Sequence, residues 1–224
     1  MAKPAKVVVV GEGTATGVPD RCIVHMTLNW MADTVEDAVS RIAAVASGLT
    51  ESLDAAGIDS ADIRTTSVRV HEVFDRDSKK VTGHGAAYHL ELTVRELEKL
   101  GEFLTTMVCA AGDLLRIQGL QLTIADPEPL LREARARAMR DAGSKAAQLA
   151  KSAGGHLGRI VSIEEGIAPG LPSHRVTRKM AASAEAAVPD LQIEPGSQDV
   201  RCSVTVTYEL SRSRGAVTES GGHR

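Results

Sequence analysis

The sequence predicts an α+β fold in which helices pack against antiparallel sheets. Residues 18–124 read as strand, helix, strand, strand, helix and strand, which is the order of a ferredoxin-like βαββαβ unit. A long helix over 127–154 follows, and its apolar stripe is mostly alanine, so it can lie close against a sheet. The first strand and the last two strands remain. We expect them to form, together with the long helix, a second small α/β layer.

The length and the charge of the chain limit its organisation and its partners. A chain of 224 residues suggests one large domain or two small interlocked ones. We assign 5–210 to two interlocked lobes, namely 18–124 and the combination of 5–17 with 125–210, and interpret 211–224 as a polar tail. The net charge of -3 and the scattered aromatic residues, one Trp, two Tyr and two Phe, argue against nucleic-acid binding.

The N-terminal stretch combines a β-branched run with a glycine-rich segment. Val7–Val10 shows no alternation, which favours a strand that is buried on both faces. Gly11–Gly17 has the glycines of a phosphate-binding loop, but the chain continues into Val18-Pro19-Asp20 and a strand instead of a helix. No helix N-terminus is then available to hold a phosphate. We therefore place these glycines at a bend or bulge between two strands.

The next two elements are a strand with one apolar face and an amphipathic helix. His25 lies on the polar face of the strand, and the core face is formed by Cys22, Val24, Met26, Leu28 and Trp30. In the helix, Thr34 is the predicted N-cap, Asp37 is the acid of a capping box, and Gly57 ends the helix. The apolar stripe comprises Val35, Ala38, Val39, Ile42, Val45, Ala46, Leu49 and Leu53.

A hairpin follows, and its tip carries the best candidates for acid–base or interaction residues. These candidates are His71, Glu72 and Asp75, which are ionisable groups close in sequence. The polar turn spans 75–80. The apolar positions of the two strands are Val68, Val70 and Phe74 on the first, and Tyr88, Leu90, Leu92 and Val94 on the return.

No metal site is expected in this hairpin. His71, His84 and His89 do not converge on one point, because strand alternation turns His84 away from the face shared by the other two. Asp75 and Asp77 lack the further acids of a calcium-binding loop. We assign no cofactor and no metal to the chain.

The remaining elements begin with a helix over 95–111 and a strand over 115–124, with a bulge near Gly119. Asp126 is the N-cap of the long helix, and Pro127 stands in its first turn. The inward stripe of this helix is Leu131, Ala134, Ala138, Ala142, Leu149 and Ala153. Its solvent flank carries Arg132, Arg135, Arg140, Lys145 and Lys151.

The C-terminal part is predicted as two strands separated by a long mobile loop. The strands contain Leu157–Ile163 and the cleanly alternating 200–210. The loop spans 167–197, and loops of this length are usually functional or disordered. It contains a basic cluster, His174, Arg175, Arg178 and Lys179, which is a candidate contact for a protein partner. A solvated loop is the alternative.

The cysteines and the apolar runs indicate the compartment. Cys22, Cys109 and Cys202 are odd in number and far apart, so we expect small core residues and no disulfide framework. No run approaches the roughly 20 apolar residues of a membrane span. The apolar run near the start is too short for a signal peptide. The sequence as written therefore predicts a cytoplasmic protein, with an envelope or secreted location as the alternative if a leader was removed.

Five blocks of the sequence together resemble the SIMPL domain family. Their order and spacing carry the resemblance, which covers nearly all of 5–210, while no single motif is specific. The blocks are Val8-Val9-Val10-Gly11-Glu12-Gly13 before Val18-Pro19-Asp20; Ala55-Ala56-Gly57-Ile58 with Asp62-Ile63-Arg64-Thr65; Tyr88-His89-Leu90-Glu91-Leu92-Thr93-Val94 through Leu100-Gly101; Asp126-Pro127 into Ala134, Ala138, Ala142 and Lys145-Ala146; and Ile193-Glu194-Pro195-Gly196 into Val204-Thr205-Val206-Thr207-Tyr208.

The resemblance implies an α+β fold that assembles into large homo-oligomeric rings in some bacterial relatives. It implies no established enzymatic activity and no agreed catalytic residues, so we assign none. Relatives are often envelope or secreted proteins, and some are associated with stress responses. We favour a non-enzymatic homo-oligomeric scaffold or interaction protein in which a second copy covers the exposed face of the first sheet. The alternative is a small-ligand-binding protein, or an enzyme, with a site formed between subunits.

Overall fold

The computed structural model describes residues 5–75, 77, 80–166 and 194–212. It contains two antiparallel sheets and three α-helices within these ranges, which confirms the α+β prediction. The strands are β1 Lys6–Gly17, β2 Arg21–Ala32, β3 Ile63–Phe74, β4 Val81–Val94, β5 Leu115–Thr123, β6 Gly155–Gly166 and β7 Gln198–Arg212. The helices are α1 Val35–Ala55, α2 Leu100–Ala111 and α3 Glu128–Ser152, with short 3-10 turns at Ser60–Asp62, Leu97–Lys99 and Gly112–Leu114.

The described residues form two compact units. One contains 18–125 with 194–196, and the other contains 5–17, 126–166 and 197–212. How two lobes interlock within one SIMPL-type region stays a prediction. Of the predicted loop 167–197, residues 167–193 lie outside the described residues, as do 213–224 of the predicted tail; Ser211 and Arg212 end β7.

The first unit is a four-stranded sheet in the order β3-β4-β2-β5 with α1 and α2 on one face. The ferredoxin-like label remains our interpretation of this order. Alternation along β2 and β4 turns one face to the helices, because successive strand residues point to opposite faces. The resulting core includes Met26, Leu28, Leu49, Leu53, Leu92, Leu100 and Met107. The predicted bulge is present where β5 crosses β2: Gly119 pairs with His25, and Ile117 pairs with Met26.

The start of α1 follows the predicted capping box. The Thr34 hydroxyl accepts a hydrogen bond from the backbone N–H of Asp37 at 3.1 Å, and donates one to the Asp37 carboxylate at 2.7 Å. After α1, Gly57 adopts a φ of 95°, which is the left-handed conformation that glycine tolerates. The predicted stripe is partly wrong: Val35 and Val39 are exposed, because α1 lies over β2 and β4 and leaves them at its outer border.

The second unit packs α3 against one face of a three-stranded sheet in the order β1-β7-β6. The helix begins at Glu128, one residue later than predicted, so Pro127 and not Asp126 is at the N-cap position. The Asp126 carboxylate still accepts the backbone N–H of Glu128 at 3.1 Å. The predicted stripe is correct through Ala142. It then continues through Ala146 and Ala150, while Leu149 is 51% exposed and Ala153 is also exposed. The prediction at Leu149 was one residue out of phase, because the buried face of the helix passes through Ala150, and Ala153 lies after the last helical residue.

Two predictions about β1 are wrong. Val8 and Val10 are exposed, so the strand is buried on one face only, and it continues without a bend to Gly17. Gly11 and Gly13 instead lie under α3, where a Cβ would meet the helix backbone. The glycines therefore permit the helix to approach the strand closely.

The outer edge of β1 is occupied by side chains from α3. Asp141 accepts the backbone N–H of Glu12 at 2.9 Å, and Lys145 donates to the carbonyl of Val10 at 3.0 Å. Arg137 also donates to a β1 carbonyl, that of Thr14. Lys145, the stronger influence, and the Glu12 N–H both lower the pKa of Asp141. The helix thereby satisfies the edge groups that another strand would otherwise pair with.

Candidate interaction surfaces of the four-stranded sheet

The four-stranded sheet has helices on one face only, and we call the opposite side the outer face. Register places four rows of side chains there. They are His71, Gly85 and Met31; Arg69, Ala87 and Asn29; Ser67, His89, Thr27 and Arg116; and Arg64, Glu91 and His25. Cross-strand neighbours within a row stand about 4.5–5.5 Å apart, close enough to interact directly.

One of these rows is an ion cluster around Glu91. Arg64 donates a hydrogen bond to one carboxylate oxygen, and the Nδ1 atom of His25 lies 3.3 Å from the other. The hydrogen bond from Arg64 is the largest influence and lowers the pKa of Glu91; burial opposes it, and the charges of Arg64 and His25 lower the pKa further. The cluster joins β3, β4 and β2 across the sheet.

The neighbouring row contains a hydrogen-bond network centred on Thr27, which is only 2% exposed. Its hydroxyl accepts a hydrogen bond from Nε2 of Gln118 at 2.8 Å and lies 2.8 Å from Nδ1 of His89. Gln118 reaches it because the bulge beside Gly119 sets that residue out of the regular ladder. A buried hydroxyl on an open sheet face is thus fully paired.

Beyond these rows, the outer face ends in an open cavity of about 460 Å³, which we call the outer hollow. Gly85 lies at its floor, and the ring of His71 packs on Gly85 so closely that a Cβ there would stand 2.6 Å from it. The hollow is lined by Asn29, Trp30, Met31, His71, Gly85, Ala86, Asp113 and Arg116.

On the helix-covered side, the sheet ends in an apolar surface that we call the apolar shoulder, formed by Trp30, Val39, Val68, Val70, Phe74 and Val81. Val68 is 57% and Val70 is 45% exposed, because α1 does not extend over edge strand β3. A small apolar groove of about 120 Å³ connects Val39 of α1 to Val68. Phe74 pairs with Val81 at the end of the hairpin.

Comparisons with known proteins identify the family. The family model described as "SIMPL: Protein of unknown function (DUF541)" matches residues 7–208. The chain belongs to the SIMPL family. The family resemblance expected from the sequence blocks is therefore confirmed.

Three relatives are similar over most of the length of this SIMPL chain. The "26 kDa periplasmic immunogenic protein" of Brucella melitensis and that of Brucella abortus are each 30% identical over 221 residues, covering 93% of this chain and 86% of theirs. The "Uncharacterized protein YggE" of Edwardsiella ictaluri is 30% identical over 183 residues, covering 80% of this chain and 75% of its own. The name of the Brucella relatives places those proteins in the periplasm, which disagrees with the cytoplasmic prediction.

The structure separates the three hairpin residues that the sequence brought together. His71 lies on the outer face against Gly85, whereas Glu72 pairs with His84 on the opposite face. Asp75 begins the turn, where its carboxylate accepts the backbone N–H of Asp77 at 3.0 Å. The three residues therefore form no common acid–base site, and their role as interaction residues stays a prediction. His174, Arg175, Arg178 and Lys179 lie outside the described residues.

The part of the chain that the structure describes offers neither a metal-ligand cluster nor a membrane-spanning helix. It contains no group of three or more His, Cys, Asp or Glu residues placed to hold a metal ion. His89 is instead hydrogen-bonded to Thr27. Within the same ranges, every helix is too short or too polar to span a bilayer.

Apart from His71, the residues that build the outer face were not candidates in the sequence analysis. Arg64, Glu91, Thr27 and Gln118 read as ordinary polar positions of alternating strands, and only the register brings them together. Trp30 was predicted to lie in the core with Leu28, but it is exposed, with its ring 5.8 Å from the Arg41 guanidinium. A Trp at the end of a strand, beside the next helix, was the available signal for this contact.

Proposed function

We propose that this SIMPL protein is a non-enzymatic homo-oligomeric scaffold or interaction protein, and that copies associate through the apolar shoulder and the edge of β3. The observation that carries the proposal is the exposure of Val68 and Val70 beside an edge strand. Apolar surface of this kind costs free energy in water, and its burial contributes about 25 cal/mol per Å². Contiguous apolar surface is typical of protein–protein contacts.

Among the four edge strands of the described sheets, β1, β6, β3 and β5, the strands β1 and β3 differ in a way that favours β3 as the contact. The edge of β1 is occupied by Asp141, Lys145 and Arg137. Among the described residues, no helix side chain donates to or accepts from the outer edge of β3, so its backbone groups are available to another strand. Edge strands left available in this way are templates for pairing with a second chain.

A second copy of the chain is the partner that fits this edge. Antiparallel pairing of β3 with the β3 of another copy would place both strands around a two-fold axis and join two four-stranded sheets. The same pairing would bring the two apolar shoulders together, so that Val68 and Val70 of each copy are covered. Phe74 and Val81 would extend the contact toward the hairpin end, beyond the polar pair of Glu72 and His84 that lies between them and Val70.

The test compares oligomeric states by size-exclusion chromatography with light scattering at micromolar concentrations. The wild type is expected to be larger than a monomer, and the double substitution Val68→Lys with Val70→Lys is expected to release monomers, because buried lysines in the contact are costly. Val108→Lys is the matched control, since Val108 is equally exposed but lies on α2. A monomeric wild type, or a folded double variant with unchanged size, contradicts the proposal.

We also propose that the protein works in the cell envelope. The support is the name of the two Brucella relatives, which describes them as periplasmic. Fractionation of the native host cells with an antibody against this protein tests the location. Recovery in the periplasmic fraction is expected, and recovery with cytoplasmic marker enzymes would contradict it.

A further inference from the structure

The outer hollow has the size and the unused polar groups of a small-molecule site. Its volume of about 460 Å³ lies within the range of about 300–1,000 Å³ for ligand pockets. It is formed within a single copy of the chain, mainly on the face of the sheet opposite the apolar shoulder, and Trp30 belongs to both surfaces.

The cationic group of the hollow is held in place by the backbone. Nη1 of Arg116 donates to the carbonyl oxygens of Asp113 at 2.6 Å and Leu115 at 2.8 Å. These two bonds fix the guanidinium plane and leave Nε and Nη2 without a partner among the described residues. A pre-oriented guanidinium loses little conformational entropy when it binds a carboxylate through two parallel hydrogen bonds.

Two other polar side chains of the hollow have unused hydrogen-bonding capacity. Within the part of the chain that the structure describes, neither the amide of Asn29 nor the imidazole of His71 makes a hydrogen bond. Asn29 offers two donors and an acceptor, and His71 offers a donor and an acceptor. With Arg116, they surround the same space.

The shape of the hollow favours a flat ligand. His71 and Met31 stand on either side of Gly85 in the register, two strand spacings or about 10 Å apart. The imidazole of His71 lies over Gly85, which has no side chain to exclude it, and so offers an aromatic surface to the hollow. An aromatic ring that stacks on this imidazole would also reach the Met31 thioether, and methionine sulfur packs well against aromatic rings.

We propose that the outer hollow binds an aromatic monocarboxylate. The ring stacks on His71 and contacts Met31, and the carboxylate accepts hydrogen bonds from Arg116 and Asn29. A single negative charge fits better than a phosphate dianion, because Asp113 lines the same hollow and would repel the second charge. A neutral aromatic amide has the same shape but lacks the charge that Arg116 recognises.

Calorimetric titration of the full chain with benzoate and phenylacetate tests the proposal, and benzamide and inorganic phosphate serve as comparison ligands. Trp30 is the single tryptophan of the chain and lines the hollow, so its fluorescence reports whether binding occurs there. Saturable binding of at least one carboxylate in the millimolar range or tighter is expected, with a change in Trp30 fluorescence. Benzamide and phosphate should each bind about tenfold or more weakly, since the charged hydrogen bonds are lost or opposed.

Substitutions on the same face give the matched comparison. Arg116→Met should weaken carboxylate binding by about tenfold or more and remove the preference over benzamide. Arg21→Met removes an arginine at the far end of β2. It should change neither the affinity for carboxylate nor the preference for carboxylate over benzamide. His71→Ala should weaken carboxylate and amide alike, because it removes the stacking surface. The proposal is overturned if neither carboxylate binds saturably, if benzamide or phosphate binds equally well, or if a folded Arg116→Met variant binds as the wild type does.

Discussion

Gly11 of β1 lies directly under Ala138 of α3, and a Cβ on Gly11 would stand 2.1 Å from the Ala138 carbonyl oxygen. The same atom would lie 2.7 Å from the Cβ of Ala142. Gly13 has the same relationship to Ala134, at 2.0 Å from its carbonyl oxygen. The alanine stripe of the helix and the glycines of the strand are thus two halves of one close contact, which neither larger helix residues nor a strand without glycines would permit.

Gly11→Ala should strongly destabilise the protein. The added methyl group meets backbone atoms, which cannot move aside as a flexible side chain could, so α3 must shift from the sheet. We expect a loss of about 3 kcal/mol or more in the free energy of unfolding, at the upper end of overpacking substitutions. Urea denaturation followed by circular dichroism measures it, and a loss below about 1 kcal/mol would show that the contact is looser than described.

Gly48→Ala is the matched control for this substitution. Gly48 lies within α1, and a Cβ built there meets nothing within 4 Å. The same chemical change should therefore raise the free energy of unfolding by about 0.5–1 kcal/mol, because alanine is the better helix former. Opposite signs at positions 11 and 48 distinguish the close contact from any general effect of replacing glycine.

The ion cluster of the outer face should make stability depend on acidity. The hydrogen bond from Arg64 lowers the pKa of Glu91 from its ordinary value of 4.5, so the folded state favours the carboxylate. The stabilisation is present above that ordinary value and is lost as the pH falls through the lowered pKa of the folded protein. Arg64 is largely exposed, so we expect about 1 kcal/mol or less.

Glu91→Gln tests this dependence in denaturation curves between about pH 7 and pH 3. The wild type should be the more stable protein at neutral pH, and the difference should shrink as the acidity increases. Glu98→Gln, at an exposed position outside any ion pair of the described residues, should give a pH-independent difference. If the free energies of unfolding of the wild type and of Glu91→Gln differed by the same amount at all pH values, the carboxylate would not be preferentially stabilised in the folded state.

Local signals in the sequence predicted most of the secondary structure, although not the continuation of β1 through its glycines. The capping box of Thr34 and Asp37 and the bulge beside Gly119 depend on residues a few positions apart, and both are observed. Strand alternation correctly separated the buried positions of β4 from the polar ones. These patterns are determined by backbone geometry, which acts over short distances along the chain.

The hydrophobic pattern of the sequence does not reveal how much of each apolar face is covered by a neighbouring element. Val39 and Val68 have the periodicity of core residues, but α1 ends its contact with the sheet before reaching β3, and both are exposed. Cys109 was likewise predicted in the core and is exposed on α2. Periodicity identifies the apolar side of an element, and the width of the partner decides how much of that side is buried.

The candidate surfaces depend on register, which the sequence does not specify. His71 and Glu72 are neighbours in the chain and lie on opposite faces, whereas Thr27 and Gln118 are 91 positions apart and hydrogen-bonded. Selecting ionisable residues by proximity in sequence therefore chose the wrong grouping. A cross-strand network becomes visible only when the pairing of β2, β4 and β5 is known.

The three cysteines should differ sharply in reactivity, which tests the two cores independently. Burial raises the pKa of Cys22 from 9.0 to about 11, against a weaker effect of a hydrogen bond from the Gln121 backbone. Burial also raises the pKa of Cys202, whose thiol lies 3.6 Å from Glu165. The thiolate is the reactive form, so the pKa alone lowers the reactivity of Cys22 by about a hundredfold, in addition to its complete loss of access.

Iodoacetamide labelling at pH 8, followed by mass spectrometry of peptides, should therefore modify Cys109 first. Cys22 and Cys202 should react only after urea has unfolded the unit that contains each of them. Cys109→Ser should abolish labelling of the native protein and leave labelling of the unfolded protein at the other two positions. Rapid modification of native Cys22 would mean that β2 is not covered by α1 and α2, and rapid modification of native Cys202 would mean the same for β7 beneath α3. Cys22 and Cys202 lie in different cores. The order in which these two thiols become reactive with increasing urea therefore also reveals which unit opens first.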